Sequence, residues 1–441
     1  MTSTAPQTPV DLFKDAVQSG DAVALRRVLS DNAEARAAIN EPLFGFDSPA
    51  LVAVAGDGNL ELVETLLEFG ADPNRKSSWW AGGFHALHGA RGIVADRLIA
   101  AGAVPDACAA ARLDRADVLA KLLDDDPTRV HERGGDGQTP LHFARSREVV
   151  DLLLARGADI DARDVDHRST PAEWMIGDGW SDSRIALARY LVERGATADI
   201  FLVAALGLTE RAREMLQHDR TLLNLRTSQG VYAPQSPSSY HIYQWNLGPN
   251  LSPLQVAADR GNAETLRVMS EFARPIERLL LACHRGDRDE AFAIVREHPD
   301  VTRAISESEA RALTDEAWAA NAPAVRLLLE LGFDPSLPGV TGPTGGNALH
   351  CAAWEGSVEC VAAILSYPAG RALIDVREST YNGTPLSWCS HGSRNCGNPN
   401  ADHAGVARLL IGAGSQVTRE MLDWGSSAPM AAVLAEALES R

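Results

Sequence analysis

The sequence predicts an all-α fold, a solenoid in which similar pairs of short helices stack one after another. Residues 137–164 read as two short helices joined by a turn. Similar units recur along the chain at a spacing of roughly 30 to 35 residues, which predicts about thirteen helix pairs. Each pair is too short to bury its own apolar side, and it therefore needs neighbours of the same kind.

The unit at residues 137–164 shows the pattern most clearly. Thr139 and Pro140 predict a turn with proline at the first helical position, where its missing N–H costs nothing. Apolar residues then follow at helical spacing, beginning with Leu141. The second helix is expected to end at Gly157, and its apolar face consists of Val149, Val150, Leu152, Leu153 and Leu154.

Two kinds of unit follow one another along the chain. Units of the first kind have a short turn and a Gly-Ala or similar stop, and further copies begin at Pro49, His85, Ser169, Ser252, Asn347 and Thr384. Units of the second kind lack the proline turn, and they begin at Asp11, Asp106, Asp199, Ile276 and Glu309. The predicted organisation is an N-terminal tail at 1–10, a first part of the array at 11–223, an inserted finger loop at 224–251, a second part at 252–417 and a C-terminal cap at 418–441.

Several of these units carry a recognisable motif. Residues 139–142 read Thr-Pro-Leu-His, and residues 347–353 read Asn-Ala-Leu-His-Cys-Ala-Ala. Second helices end in Gly-Ala-Asp at residues 70–72 and 157–159. In these features the chain resembles the ankyrin repeat family. The resemblance implies a solenoid that binds a protein or peptide partner in a concave groove formed by inter-repeat fingers and first helices.

The same resemblance implies a structural role for a recurring histidine. His88, His142 and His350 occupy the family's histidine position, whereas Gln255 and Ser387 replace it in two other units. In the family this side chain ties the turn to the backbone through hydrogen bonds. We therefore expect these three histidines to support the fold rather than to contact a ligand.

Composition and charge narrow the classes of partner. The chain has 441 residues and a net charge of −18, which argues against nucleic acid, because that affinity depends on Lys and Arg. No apolar run has the length of a membrane span, so no membrane partner is expected. The first residues do not read as a secretion signal, and the six cysteines read as reduced core residues. These features predict a cytoplasmic location.

Aromatic residues interrupt the regular pattern in loops and near first helices. Large aromatic side chains dominate many binding surfaces, although they also cover helix ends in protein cores. The loops at 74–84 and 224–251 supply the first candidates, Trp79, Trp80, Tyr240, His241, Tyr243 and Trp245. First helices and their surroundings supply the others, Trp174, Trp354, Trp388 and His391. The leading hypothesis is a recognition scaffold that binds a protein or peptide partner through these residues.

An acidic stretch in one unit supports an alternative hypothesis. Asp166, His167 and Glu173 are candidate acid or base groups for hydrolase-like or lyase-like chemistry. Their neighbours include Asp164, Asp178, Asp182 and two tryptophans, Trp174 and Trp180. In this alternative the 224–251 loop closes over a small-molecule pocket. Acidic residues at inter-repeat turns also have a local capping role, which needs no ligand.

No cofactor is expected from the sequence. Glycine pairs such as Gly82-Gly83 lack the spacing and the strand that phosphate-binding loops require. The late insertion holds the zinc-ligand types Cys389, His391, Cys396 and His403, but their spacing matches no compact zinc motif. The sequence therefore predicts no metal site.

Overall fold

The chain folds into two compact units, as seen in a computed structural model that describes residues 7–177, 184–303, 305–339 and 345–439. Unit 1 comprises the residues up to Ala198 together with Pro234–Asn246. Unit 2 comprises Asp199–Ala233 and the residues from Leu247 onward. The array predicted at 11–223 is thus divided after Ala198, and the segment 224–251 is shared between the units.

The described residues form helices and contain no β-strand, which confirms the predicted all-α class. The first helices in chain order are α1 (Pro9–Gln18), α2 (Ala22–Asp31), α3 (Ala33–Ala37), α4 (Ala50–Val54), α5 (Leu60–Glu68), α6 (Ala86–Gly89), α7 (Gly92–Ala100), α8 (Ala107–Arg112), α9 (Ala116–Asp125), α10 (Pro140–Phe143), α11 (Arg147–Ala155), α12 (Pro171–Trp174) and α13 (Ile185–Glu193). The others are α14 (Ile200–Leu206), α15 (Thr209–His218), α16 (Tyr243–Asn246), α17 (Pro253–Asp259), α18 (Ala263–Ser270), α19 (Pro275–His284), α20 (Arg288–Glu297), α21 (Glu307–Ala310), α22 (Ala312–Trp318), α23 (Ala322–Glu330), α24 (Ala348–Trp354), α25 (Val358–Leu365), α26 (Pro368–Arg371), α27 (Pro385–Asn395), α28 (His403–Gly412) and α29 (Ala428–Glu439). Among them, none combines the length and the apolar character that crossing a membrane requires.

The regular unit folds as its sequence predicts. Helix α10 starts with Pro140 at its first position, and the side chain of His142 accepts the Thr139 N–H at 3.0 Å. Helix α11 is capped by Ser146, whose Oγ accepts the Val149 N–H at 3.2 Å. The next residue after its C-cap is Gly157, with φ of 88°, a conformation that glycine adopts without strain. Turn chemistry and apolar spacing therefore set both ends of this pair.

Helix pairs stack on their neighbours within each unit. In unit 1, α10 packs between α8 and α12, and α11 packs on α9. In unit 2, α24 packs between α22 and α27, and α25 packs between α23 and α28. Each pair thus buries its apolar face against similar pairs, which is the arrangement expected of repeats. The total of about thirteen pairs stays a prediction.

The recurring histidines support the fold, as expected. His142 donates from Nε2 to the carbonyl oxygen of Ser169 at 3.1 Å, and His350 donates likewise to Gly383 at 3.1 Å. Burial lowers the pKa of His142 to about 4, so its ring is neutral. Both side chains are buried, and each fastens the first helix of one repeat to the loop that precedes the next.

The segment predicted as a projecting finger loop is largely packed against the protein. It contains helix α16, and the side chains of His241, Ile242 and Tyr243 are buried. Tyr243 is fully buried, and its ring packs against the His241 ring at a centroid distance of 4.4 Å. Tyr243 and His241 are therefore core side chains rather than the exposed binding aromatics expected from the sequence. Trp245 differs, because half of its side chain is exposed.

Candidate functional site

Four aromatic side chains form a partly exposed surface on unit 1, here called the aromatic patch: Phe46, Trp79, Trp80 and Phe84. The Phe46 ring lies 5.2 Å from Trp79 and 5.3 Å from Phe84, and the two tryptophan rings lie 6.0 Å apart. Phe46 is 49% exposed and Trp80 is 44% exposed, so both offer apolar area to a partner. The patch contains two of the tryptophans predicted from the sequence and adds Phe46, which the sequence did not single out.

A tight turn lies beneath the patch and carries Asp136. The Trp79 indole Nε1–H donates to Asp136 Oδ1 at 3.1 Å. The Asp136 carbonyl oxygen accepts the N–H groups of Val165 and Asp166, at 2.9 and 3.1 Å. The turn allows no side chain at Gly135, where an added Cβ would lie 2.2 Å from the Phe84 ring. The patch, the turn and the next loop thus form one packed unit.

Asp164 holds the following loop in shape. Its carboxylate accepts the backbone N–H groups of His167 and Ser169, and the Trp174 Nε1–H at 2.8 Å. In unit 2, Glu378 plays a similar part, accepting the N–H groups of the loop that follows it. Both oxygens of Asp164 are therefore engaged in supporting the loop, which fits the local capping role considered from the sequence.

Asp166 and His167 are held by the segment 234–246 of the same unit. The Ser239 N–H donates to Asp166 Oδ1 at 3.0 Å. His167 Nδ1 lies 2.8 Å from the carbonyl oxygen of Tyr240, and because a carbonyl only accepts, Nδ1 carries the proton. In the neutral ring the lone pair is then on Nε2, which lies 3.8 Å from Asp166 Oδ2. The contact of Tyr240 with the site is thus made by its backbone.

Asp136, Asp166 and His167 come together as what is here called the carboxylate–histidine cluster. One oxygen from each aspartate and one ring nitrogen lie within 4.8 Å of one another. Both aspartates are buried, and His167 is largely buried. Burial, assisted by the charges of Asp164 and Asp166, raises the pKa of Asp136 to about 7, although His167 and the Trp79 N–H lower it. The cluster thus concentrates negative charge away from water.

Glu173 does not belong to this cluster. Its carboxylate accepts the Thr170 N–H at 2.6 Å and so forms the capping box of α12. It also lies 3.4 Å from His241 Nε2. Burial alone would raise the pKa of Glu173, but His241 and the Thr170 N–H lower it below its usual value. A carboxyl that holds its negative charge in this way is poorly suited to donate a proton.

A second group of metal-ligand types, formed by His88, Asp106 and Cys108, is already satisfied within the protein. His88 Nδ1 accepts the His85 N–H at 3.2 Å, so its Nε2 carries the proton and donates to Asp106 at 3.0 Å. The Lys76 ammonium donates to the other oxygen of Asp106 at 2.7 Å. Burial raises the pKa of the Cys108 thiol well above its usual value. Both ring nitrogens of His88 and both carboxylate oxygens of Asp106 are thus engaged by protein atoms.

The remaining predicted residues lie on unit 2. Trp354 stacks on Trp318 with ring centroids 6.2 Å apart, and His391 lies 5.4 Å from Trp354. Trp388 is buried and packs edge-on against Trp354 at 6.2 Å. His391 is exposed and Trp354 is half-buried. The sequence missed Trp318, which extends this aromatic row onto the neighbouring first helix, α22.

Two further features bear on the sequence predictions. Asp178, Trp180 and Asp182 lie outside the described residues. Asp136 was missed because it belongs to the most regular repeat. A signal for it exists, since Asp136 and His167 both stand three residues before the threonine of a Thr-Pro turn. Aligned in this way, the two residues occupy equivalent places in successive repeats.

Comparison with known proteins shows what this chain is similar to. The ankyrin repeat family matches residues 136–165. The serine/threonine-protein kinase VIK of Arabidopsis thaliana is 48% identical over 52 residues, which are 11% of this chain and 12% of that kinase. The human ASB11 ankyrin repeat domain aligns with a TM-score of 0.32 and 16% identity, over 55% of this chain and 98% of that domain. The matched residues contain the Thr-Pro-Leu-His turn and both helices of the regular unit. Residues 136–165 of this chain are therefore an ankyrin repeat.

Proposed function

We propose that this chain is a recognition scaffold that binds a protein or extended peptide through the aromatic patch of unit 1. Ankyrin repeats in general serve as scaffolds for protein interactions. The observation that carries the proposal is the exposure of Phe46 and Trp80 beside the half-buried Trp79. The concave groove expected from the family resemblance stays a prediction.

The aromatic patch has the properties of a binding hot spot. Contact between an exposed aromatic side chain and water is unfavourable by about 25 cal/mol per Å² of apolar area. A partner that covers the side chain recovers this free energy. Trp79 is fixed by its hydrogen bond to Asp136, and its ring contacts both Phe46 and Trp80. Because these rings are held before a partner arrives, little side-chain entropy is lost on binding. A partner that presents an apolar side chain to Phe46 and Trp80 fits this surface.

Trp245 provides a second candidate anchor on the same unit. It is 50% exposed, and the residue after it, Asn246, donates from its side chain to the carbonyl oxygens of Glu173 and Trp174 at 3.1 and 3.3 Å. These bonds fix the end of helix α16 and hence the position of Trp245. On unit 2, Trp354 and His391 remain proposed contacts for the same class of partner.

The catalytic alternative receives less support from the geometry. It requires Glu173 to act as an acid or base beside Asp166 and His167. Glu173 instead caps α12 and pairs with His241, and its lowered pKa favours the charged form. Asp166 and His167 are better explained by the ion-binding arrangement argued below.

The test is to compare partner recovery by wild-type protein and by single alanine variants. Phe46→Ala and Trp80→Ala are each expected to weaken binding by about tenfold or more, since loss of a hot-spot aromatic costs over 1 kcal/mol. Trp245→Ala tests the second anchor. Partners are first captured on the wild-type chain, identified by mass spectrometry and then titrated by calorimetry.

The matched control is Ile93→Ala. Ile93 is 65% exposed on the same unit, but it lies on helix α7 outside the aromatic patch. Its variant is expected to bind as the wild type does. Unchanged affinity in both Phe46→Ala and Trp80→Ala, with the fold intact by circular dichroism, would show that the patch is not the binding surface.

A further inference from the structure

Three ligand-type atoms in unit 1 lie close together, one each from Asp136, Asp166 and His167, and all lie within 4.8 Å of one another. His167 Nε2 lies 3.8 Å from Asp166 Oδ2, which is beyond hydrogen-bond distance. Asp136 is 8% exposed and Asp166 is 4% exposed. Two buried carboxylates and an imidazole brought this close together form a donor set that can hold a metal ion.

We propose that Asp136, Asp166 and His167 bind one divalent transition-metal ion between two neighbouring repeats. The two carboxylates supply negative charge and the imidazole supplies a neutral nitrogen. An ion at this point would bind all three atoms. It would also offset the repulsion between the two buried carboxylates. The site adjoins the aromatic patch, because Trp79 donates to Asp136 Oδ1, but the proposal does not depend on the proposed recognition function.

The donor set selects the class of ion. Imidazole nitrogen with carboxylate oxygen suits Zn²⁺, Mn²⁺ or Co²⁺, whereas Ca²⁺ and Mg²⁺ prefer oxygen ligands alone. Zinc bonds of about 2.0–2.2 Å place two ligand atoms about 3.4 Å apart in a tetrahedral site. The 3.8 Å between His167 Nε2 and Asp166 Oδ2 is close to that value. Three protein ligands leave at least one position for water.

Each proposed ligand is already oriented by a second contact. The Tyr240 carbonyl accepts from His167 Nδ1, which directs Nε2 and its lone pair into the cluster. The Ser239 N–H holds Oδ1 of Asp166, and the Trp79 N–H holds Oδ1 of Asp136. Metal-binding histidines and carboxylates commonly show this arrangement, in which one polar atom is fixed and the other binds the ion.

The satisfied group at His88 provides the contrast. In that group the Nδ1 lone pair accepts a backbone N–H, and a lysine ammonium occupies the carboxylate of Asp106. Protein atoms there take the place that an ion would need. The two groups of metal-ligand types are therefore expected to behave differently, and the group at His88 serves as an internal control.

An ion at the proposed site would connect separate parts of unit 1. It would join the turn at Asp136 to the loop at Asp166 and His167. Through Ser239 and Tyr240 it would also fix the segment 234–246, which contacts the cluster only by its backbone and the Ser239 hydroxyl. Metal binding is therefore expected to raise the thermal stability of the chain.

The test uses the full-length, tag-free chain after chelation and dialysis, titrated with ZnCl₂ by calorimetry and with CoCl₂ by visible absorption. The wild type is expected to bind one Zn²⁺ per chain and to rise in Tm. Asp166→Asn and His167→Asn are each expected to weaken zinc binding by about 100-fold or more. Even the loss of a residue that only hydrogen-bonds to a metal ligand typically lowers metal affinity by about 10–100-fold. Asparagine suits both places, because it can keep the contact to Ser239 or to the Tyr240 carbonyl.

Three further readouts make the outcome decisive. Cobalt bound here is expected to show no sulfur-to-metal charge-transfer band, because no thiol belongs to the cluster. Cys108→Ser, in the satisfied group, is expected to bind zinc as the wild type does. Circular dichroism of each variant checks that the fold is intact. Asp136→Asn is an additional isosteric variant, so loss of zinc binding in it can be separated from loss of the fold. No zinc binding by the wild type, or equal binding by the folded Asp166→Asn and His167→Asn variants, would overturn the proposal.

Discussion

Replacement of His284 by alanine is expected to lower the free energy of unfolding by about 3 kcal/mol at neutral pH. His284 ends helix α19 of unit 2 and lies between two carboxylates. Its Nδ1 is 2.8 Å from Glu316 and its Nε2 is 2.9 Å from Asp259. Without the imidazolium, the buried charge of Glu316 keeps only amide donors, from Gln255 at 3.1 Å and Asn321 at 2.8 Å. The effect is large because Glu316 is buried, whereas Asp259 is half-exposed and contributes less.

The same contact predicts a pH dependence of stability. Burial alone would lower the pKa of His284, but the hydrogen bonds to Asp259 and Glu316 raise it to about 10. The unfolded value is about 6.5. A pKa that is higher in the folded state contributes stability fully below pH 6.5, and this contribution is lost as the pH rises toward 10. The difference in stability between wild type and His284→Ala is therefore expected to shrink over that range.

Urea unfolding between pH 6 and pH 10 measures this difference. His298→Ala is the control, because that side chain is 38% exposed and makes a single contact of 3.8 Å to Glu297. A surface change of this kind is expected to alter stability by no more than about 0.5 kcal/mol. Equal effects of the two substitutions, or a difference that does not vary with pH, would contradict the role assigned to His284.

Gly137→Ala is expected to destabilise the protein by about 2–4 kcal/mol, from backbone strain and steric overlap together. Gly137 has φ of 72°, which residues with a Cβ adopt at a cost. An added Cβ would lie 2.3 Å from Val165 Cγ2 and 2.8 Å from the Ala81 carbonyl oxygen. Both neighbours belong to the loops that surround Asp136, so the substitution is also expected to disturb the carboxylate–histidine cluster.

Gly157→Ala separates strain from overlap. Gly157 also has a positive φ, of 88°, but an added Cβ there would meet nothing within 4 Å. Its substitution is expected to cost only about 1–2 kcal/mol. Thermal or urea unfolding of the two variants compares them directly. If both variants lose the same stability, the close packing of the loops around Gly137 is not what constrains this position.

The helix pairs could be predicted from local sequence because local physics sets them. Thr139, Pro140 and Gly157 act within a few residues, and the apolar spacing of α11 determines its buried face. The hydrogen-bonding role of His142 followed from the family resemblance and is confirmed by its bond to Ser169.

The site could be predicted only in part, because it depends on contacts distant in sequence. Asp166 and His167 were candidates, but Asp136 lies in the preceding repeat, and Ser239 lies 73 residues beyond Asp166. Spacing along the chain gives no information about such contacts. Tyr243 shows a related difficulty, since an aromatic residue in a loop suits both a binding surface and a core. Its complete burial was decided by tertiary packing.

The recognition function is tested most directly by placing a photo-activated crosslinking residue at position 80 of the full chain, with position 93 as the exposed control on the same unit. After irradiation in cell extract, crosslinked partners are identified by mass spectrometry. The account predicts a defined protein partner crosslinked from position 80, absent from position 93, and reduced when Phe46→Ala is combined with the crosslinker. No specific partner from position 80, or the same partner in equal yield from position 93, would contradict it.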